Sequence, residues 1–218
     1  MLHFEPASDG ESPLGWCTSQ NTSSDFIERR RESLSWYSES GARLEIGALS
    51  YTEISVEDAQ ALRHPLHDLF REAEDLHDIY LALFEDDDYI KRGAERLGYY
   101  GTEDILVIDQ IYLNPKYRGH KIGLAAIETL IARHSHCGAV TLNAYPYALS
   151  PSGTPDEQLK TLRKGIEKLH LYYRQLGFEA VDHTCAGSPV MLRLPVGRYP
   201  SAQDAGFDPW ALDSMAVA

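Results

Sequence analysis

ILVIDQIYLNPKYRGHKIGLAAIETLIARHSHCGAV, residues 105–140, changes its periodicity twice. Seven of the first nine residues are aliphatic or aromatic, with only Asp109 and Gln110 polar, and Asn114-Pro115 closes them, which predicts a strand over 105–113. After YRGHKIG (117–123) the apolar residues return at helical spacing. Ile122, Ala125, Ile127, Leu130, Ile131 and His134 fall near one stripe, and Gly138 is placed to end the helix. AVTLNAYPYAL (139–149) then predicts a second central strand. Strand, turn, helix, strand is a βαβ crossover, and it fixes the centre of a sheet.

The turn between strand and helix carries its own chemistry. The first four N–H groups of a helix have no internal partner and bear partial positive charge, so an anion such as pyrophosphate can be held there. Gly119 and Gly123 lack a Cβ and allow close backbone approach. Arg118, His120 and Lys121 add cationic groups to a chain otherwise short of them. A solvated turn whose glycines serve only packing has the same composition, so the heptapeptide alone leaves both readings open.

Downstream, a Pro-Ser-Gly-Thr-Pro loop leads into a helix with Leu159, Leu162, Ile166, Leu169, Tyr173 and Leu176 on one face, capped by Gly177. FEAVD and PVMLRLPV read as two short strands. Upstream, SLSWYS (33–38) and ARLEIGALSYTEIS (42–55) read as antiparallel strands. Between them and Ile105 lies a helical insert over about 56–100, with Ser55 and Asp58 as a capping box and Pro65 opening a further helix. Residues 53–104 hold 15 acids against 5 bases, so most of the net charge of −13 is concentrated there. Residues 1–24 read as a loose lead-in and 197–218 as a loop-like tail. The order β-β, helical insert, β-α-β-α-β-β predicts one mixed α/β (α+β) domain over 25–196.

Charge of this sign excludes a nonspecific nucleic-acid binder. Cys17, Cys137 and Cys185 are odd in number and far apart, with no CxxC or Cys/His zinc spacing, so neither a disulfide scaffold nor a zinc ribbon is supported. MLHFEPASDGES has neither the basic nor the apolar region of a secretory signal, and no apolar run reaches bilayer length. A cytoplasmic protein without membrane partners is therefore the expectation. His64, His67 and His77 with Asp68, Asp75 and Asp78 read as a polar helix face. FEDDDY (84–89) reads as a solvated acidic loop or an attraction site for a polycationic acceptor.

Strand, YRGHKIG turn, helix, strand, and a helix closing in LYYRQLGF together resemble the GCN5-related N-acetyltransferase (GNAT) superfamily over about residues 33–196. Its Arg/Gln-x-x-Gly-x-Gly/Ala signature matches at Arg118, Lys121 and Gly123, with lysine replacing the first glycine. Its Tyr-x-x-x-Gly-Phe pattern matches at Tyr173, Gly177 and Phe178. The helical insert exceeds the family's minimal core, and GIEKLH (165–170) stands where many members carry a cofactor-contacting asparagine.

The resemblance implies an acyl-CoA N-acyltransferase fold and acetyl transfer from acetyl-CoA, as cosubstrate, to an amine of a small molecule or protein, with no metal. It implies backbone contacts from Ile111, Tyr112 and Leu113 to the pantetheine arm. Residues Arg118, Gly119, His120, Lys121, Ile122, Gly123 and Leu124 would hold the pyrophosphate. Lys121 fits if its backbone stays helical and its side chain points outward, where its ammonium meets a phosphate. Tyr173 matches the family's general acid, with Tyr172 beside it. Asp109, the one carboxylate in 105–113, shares a face with Val107, Ile111 and Leu113 by strict alternation. It is either the general base or a structural carboxylate. The alternative to an enzyme is a GNAT-fold acyl-CoA sensor or interaction module. A further alternative is an unrelated α/β protein whose turn binds another phosphate. A homodimer is compatible with all three.

Overall fold

The computed structural model describes residues 2–6, 25–38, 41, 43–71, 74–85, 88–146, 153–184 and 187–217. Its strands are β1 (Leu2–Pro6), β2 (Ile27–Tyr37), β3 (Arg43–Ile54), β4 (Ile105–Leu113), β5 (Ala139–Asn143), β6 (Glu179–His183) and β7 (Pro189–Arg193). Its helices are α1 (Val56–Ala61), α2 (Leu66–Arg71), α3 (Glu74–Leu83), α4 (Arg92–Arg96), α5 (Ile122–Arg133), α6 (Pro155–Arg174) and α7 (Pro209–Val217), with a 3₁₀ turn at Pro115–Tyr117. All seven strands join one mixed sheet in the order β1-β2-β3-β4-β5-β7-β6. The β4–β5 pair is parallel and every other pair is antiparallel. This is the mixed α/β arrangement expected, with the βαβ crossover β4-α5-β5 at its centre.

Each face of the sheet buries its own apolar set. On one side Ile54, Ile105, Val107 and Leu192 meet Val56, Phe70, Leu83 and Ala94 from α1 to α4. On the other, Leu49, Leu106, Ile108 and Met191 meet Ile122, Ile127 and Leu130 of α5, with Leu176, Phe178 and Leu212. The acidic insert is thus one outer layer of a helix–sheet–helix sandwich. Its apolar stripe has a sheet to cover, which is why several helices of only five or six residues persist there. No helix among the described residues is long and apolar enough to cross a membrane.

The structure departs from the sequence reading at several ends. Leu2–Pro6, within the expected lead-in, is an edge strand paired to β2, and the expected tail contains α7. Strand β2 begins at Ile27, ahead of SLSWYS, because the charged run Glu28–Glu32 pairs with β3 rather than forming a loop. Ser55 sits at the N-cap of α1 without a side-chain cap bond. The carboxylate of Asp104, ahead of β4, accepts the Glu57 N–H at 3.1 Å instead. A full capping box forms where none was expected, between Thr154 and Glu157 at the start of α6.

Helix α5 ends at Arg133 with His134 as its C-cap, so Gly138 does not end it. Gly138 instead enters β5 against Glu103, where an added Cβ would stand 2.2 Å from that side chain. Gly177 does adopt a left-handed conformation (φ +82°) just past α6. Helix α6 itself buries none of its residues. Leu159 is 47% exposed, and only the C-terminal end, at Leu169, Tyr172 and Tyr173, packs on the core. Residues 86–87 of the FEDDDY stretch and 147–152, with Cys17, Cys185 and residues 7–24, lie outside the described residues.

Candidate active site at the β4–α5 junction

Strand β4 has two different edges. Along β3 it is paired over its whole length, from Ile54↔Ile105 to Gly47↔Leu113. Along β5 the pairing stops at Ile108↔Leu142, because β5 ends at Asn143 and the chain turns towards β7. From Asp109 to Leu113, no strand among the described residues pairs with that second edge. No described strand therefore covers that edge beside Ile111, Tyr112 and Leu113, all half-buried, and the Leu113 carbonyl is taken by a side chain instead.

A bulge marks the point where the two strands part. Ser50 pairs with Gln110 and Tyr51 with Ile108, so Asp109 is the extra residue. This breaks the strict alternation assumed from sequence. Val107 faces the α1–α4 layer, whereas Ile111 and Leu113 pack on the α5 side, so Asp109 does not share a single apolar face with all three. Its Oδ2 accepts a hydrogen bond from the buried Thr52 hydroxyl at 2.9 Å.

Beyond Leu113 the 3₁₀ turn plants Tyr117 in the core, which anchors the loop to follow. The Arg118 Nε donates to the Leu113 carbonyl at 3.0 Å, and its guanidinium lies 5.9 Å from the Tyr112 ring centroid. Arg118 is thus folded back along β4 while remaining exposed. Gly119 has φ +88°, and a Cβ there would meet nothing within 4 Å, so the requirement for glycine is conformational.

Lys121 corrects an expectation. It is the N-cap of α5, with φ 59° and ψ 14°, in the left-handed region rather than helical. Its side chain does not point away from the protein. Nζ donates to Gln175 Oε1 at 2.7 Å and lies 5.3 Å from the Tyr172 ring centroid, both at the end of α6. A glycine in the motif is favoured by that left-handed backbone, and here a tethered lysine takes its place. His120 is half-buried, and Ile122, Gly123 and Leu124 are buried. A ligand reaching Ile122 and Gly123 would meet backbone N–H groups rather than side chains, whereas the Leu124 N–H already donates to the Lys121 carbonyl at 3.0 Å.

The last turns of α6 bring both tyrosines to this region in different ways. An added Cβ on Gly123 would stand 2.9 Å from the Tyr172 hydroxyl, so the absence of one makes room for that ring. Burial pushes the Tyr172 phenol up to about 12, against a counter-pull from the Leu124 backbone. Tyr173 stacks edge-on with Tyr172 (5.6 Å) and with Phe178 (6.4 Å), packed on the α5-side core. The sequence pattern singles out Tyr173, while Tyr172 is the tyrosine whose hydroxyl lies against Gly123 of the turn. Only the glycine at position 123 hinted at that contact.

The other candidate clusters resolve differently. His64 Nε2 and His77 Nδ1 are buried without hydrogen-bond partners, and His67 lies 3.7 Å from Asp68. These histidines do not gather with carboxylates into a ligand set among the described residues. Within FEDDDY, Asp88 is no solvated acid. It accepts from the N–H groups of Leu66 (3.0 Å) and His67 (3.2 Å) and from the Tyr80 hydroxyl (2.7 Å), capping α2. Sequence reading missed one cluster altogether, Glu53 with His134, His136 and Cys137.

No family model matches the chain, and no curated protein does. Among solved structures, the chain is similar to a crystal structure of a mosquito arylalkylamine N-acetyltransferase-like 5b protein. The match has 17% identity, covers 75% of this chain and 74% of that one, and has a TM-score of 0.35.

Proposed function

We propose that the chain is an acyl-CoA-dependent N-acyltransferase that moves an acetyl group to an amine. The observation that carries this reading is the open edge of β4. The β4–β5 ladder ends at Ile108, a bulge follows at Asp109, and the edge of Ile111–Leu113 that no described strand covers leads towards the N-terminus of α5. An extended amide-bearing chain such as pantetheine can pair with that edge as an added strand would. The Arg118–Leu124 turn receives the pyrophosphate at the end of the same line, where the first turn of α5 offers the N–H groups of Ile122 and Gly123. Positive φ at Gly119 and Lys121 is the kind of backbone alternation that builds concave anion sites.

The chemistry follows from general requirements. The attacking amine must be neutral, although an alkyl ammonium has a pKa of about 10.4, so a proton must be removed. Attack on the thioester carbonyl forms the C–N bond; collapse breaks the C–S bond as the nitrogen gives up its second proton to solvent, leaving the neutral amide. The leaving thiolate then takes a proton from a nearby acid. Tyr173 is the proposed acid by its place in the Tyr-x-x-x-Gly-Phe pattern. Tyr172, held protonated at neutral pH, is proposed to seat the turn and to shape the thioester end of the groove. Asp109, anchored by Thr52, is the proposed proton acceptor, directly or through water.

Thiol release from acetyl-CoA over a panel of amines tests the assignment. Acceptor-dependent turnover that Tyr173→Phe lowers by roughly 100-fold or more, with KM for acetyl-CoA little changed, supports it. A loss confined to Tyr172→Phe moves the acid to Tyr172. Binding of acetyl-CoA without turnover on any amine replaces the enzyme with an acyl-CoA-binding module.

A further inference from the structure

At the opposite end of β4, away from the open edge, four side chains from two distant parts of the sequence converge. Glu53 lies on β3, where it pairs with Leu106. His134, His136 and Cys137 lie in the link between α5 and β5. Glu53 Oε2 is 2.9 Å from His134 Nδ1, and Glu53 Oε1 is 2.8 Å from His136 Nε2. With the Cys137 sulfur, one donor atom from each of the four lies within 4.8 Å of all the others.

We infer that Glu53, His134, His136 and Cys137 form a binding site for a divalent transition metal, zinc being the best chemical fit. One carboxylate oxygen, two imidazole nitrogens and one thiolate make the mixed N/O/S set that a borderline-soft, tetrahedral cation takes. Bonds of about 2.0–2.3 Å place tetrahedral ligands about 3.3–3.8 Å apart. The observed spacing reaches this by a shift of roughly an ångström. Four protein donors leave no open position, so the role is structural rather than catalytic.

His134 and Cys137 are both buried, so a cation held there is shielded from water. Ligation needs Cys137 as its thiolate. A bound cation would displace that thiol proton to solvent, so loading releases protons. The cation would fasten β3 to the end of α5, the helix whose start is the candidate acyl-CoA turn. Seven residues of β4, about 23 Å of strand, separate the two sites. The metal site therefore stands independently of the proposed reaction.

The test uses tag-free full-length protein, stripped with a chelator and titrated with Zn²⁺, Co²⁺ and Mg²⁺. The expected result is one Co²⁺ per chain with a thiolate-to-cobalt charge-transfer band, and a Tm raised by Zn²⁺ but not by Mg²⁺. Cys137→Ser should abolish the band, whereas the double variant Cys17→Ser/Cys185→Ser should keep it. His136 is 55% exposed, so His136→Ala should fold normally. It should weaken Zn²⁺ binding by ~10-fold or more. No charge-transfer band, or Zn²⁺ affinity unchanged in both Cys137→Ser and His136→Ala, would overturn the site.

Discussion

Lys121 holds a left-handed backbone that costs an L-residue about 1–2 kcal/mol relative to glycine. Its hydrogen bond to Gln175 and its place over Tyr172 return a comparable amount. The two effects can be separated by substitution. Lys121→Gly loses the tether and the strain together, so its Tm should match the wild type closely. Lys121→Ala keeps the strain and loses the tether, and should be about 1 kcal/mol less stable by chemical denaturation. An alanine variant as stable as the glycine one would show that the left-handed backbone is not what selects the residue. On the proposed reading, acetyl-CoA affinity is little changed in Lys121→Gly. A marked loss would show that the ammonium leaves Gln175 to meet phosphate.

At the scale of the element, β4 combines a continuous ladder on one side with an interrupted one on the other, and the bulge at Asp109 lies between. A bulge re-aims side chains, and this one turns the strand's second half so that Ile111 and Leu113 support α5. Asp109→Asn keeps the shape and an acceptor for Thr52 but removes the basicity. If Asp109 is the proton acceptor, kcat should fall about 100-fold with Tm nearly unchanged, and the acidic limb of the pH–rate profile should disappear. A Tm loss with kcat retained would make it a structural carboxylate.

Strand β4 itself was legible in the sequence to the residue, because a nine-residue run with seven aliphatic or aromatic side chains ends at Asn-Pro. Its bulge was not, because register depends on the partner strand. The same reason hid the cap of α1, where Asp104 replaces the expected box, and the four-donor cluster, whose carboxylate comes from β3. Local periodicity also gave α6 its length but not its burial, since no residue pattern states what lies opposite.

At the scale of the whole molecule, α5 is fastened at its end to the antiparallel half of the sheet by carboxylates. Glu32 of β2 receives Arg133 through both oxygens at 2.7 and 2.9 Å and the Tyr51 hydroxyl at 2.9 Å. Burial alone would raise the Glu32 carboxyl, yet Arg133 and Tyr51 outweigh it and leave the group below its ordinary 4.5. A carboxylate depressed on folding stabilises the protein fully above its unfolded value and loses that stabilisation as pH falls through the folded one. Glu32→Gln should therefore cost about 2 kcal/mol at neutral pH, discounted for the half-exposed Arg133. The gap to wild type should close as pH is lowered below 4.5, followed by urea denaturation across pH. A gap independent of pH would mean that packing, not charge, carries the Glu32 contribution.

All of these features support one line through the protein, from the bulge along the open edge of β4 to the first turn of α5. Amide chemical-shift mapping of isotopically labelled protein titrated with acetyl-CoA tests that line most directly. The account predicts saturable shifts concentrated at the amides of residues 109–113 and 118–124, with smaller ones at Tyr172 and Tyr173. Absence of shifts, or shifts concentrated instead in the α1–α4 layer, would contradict it.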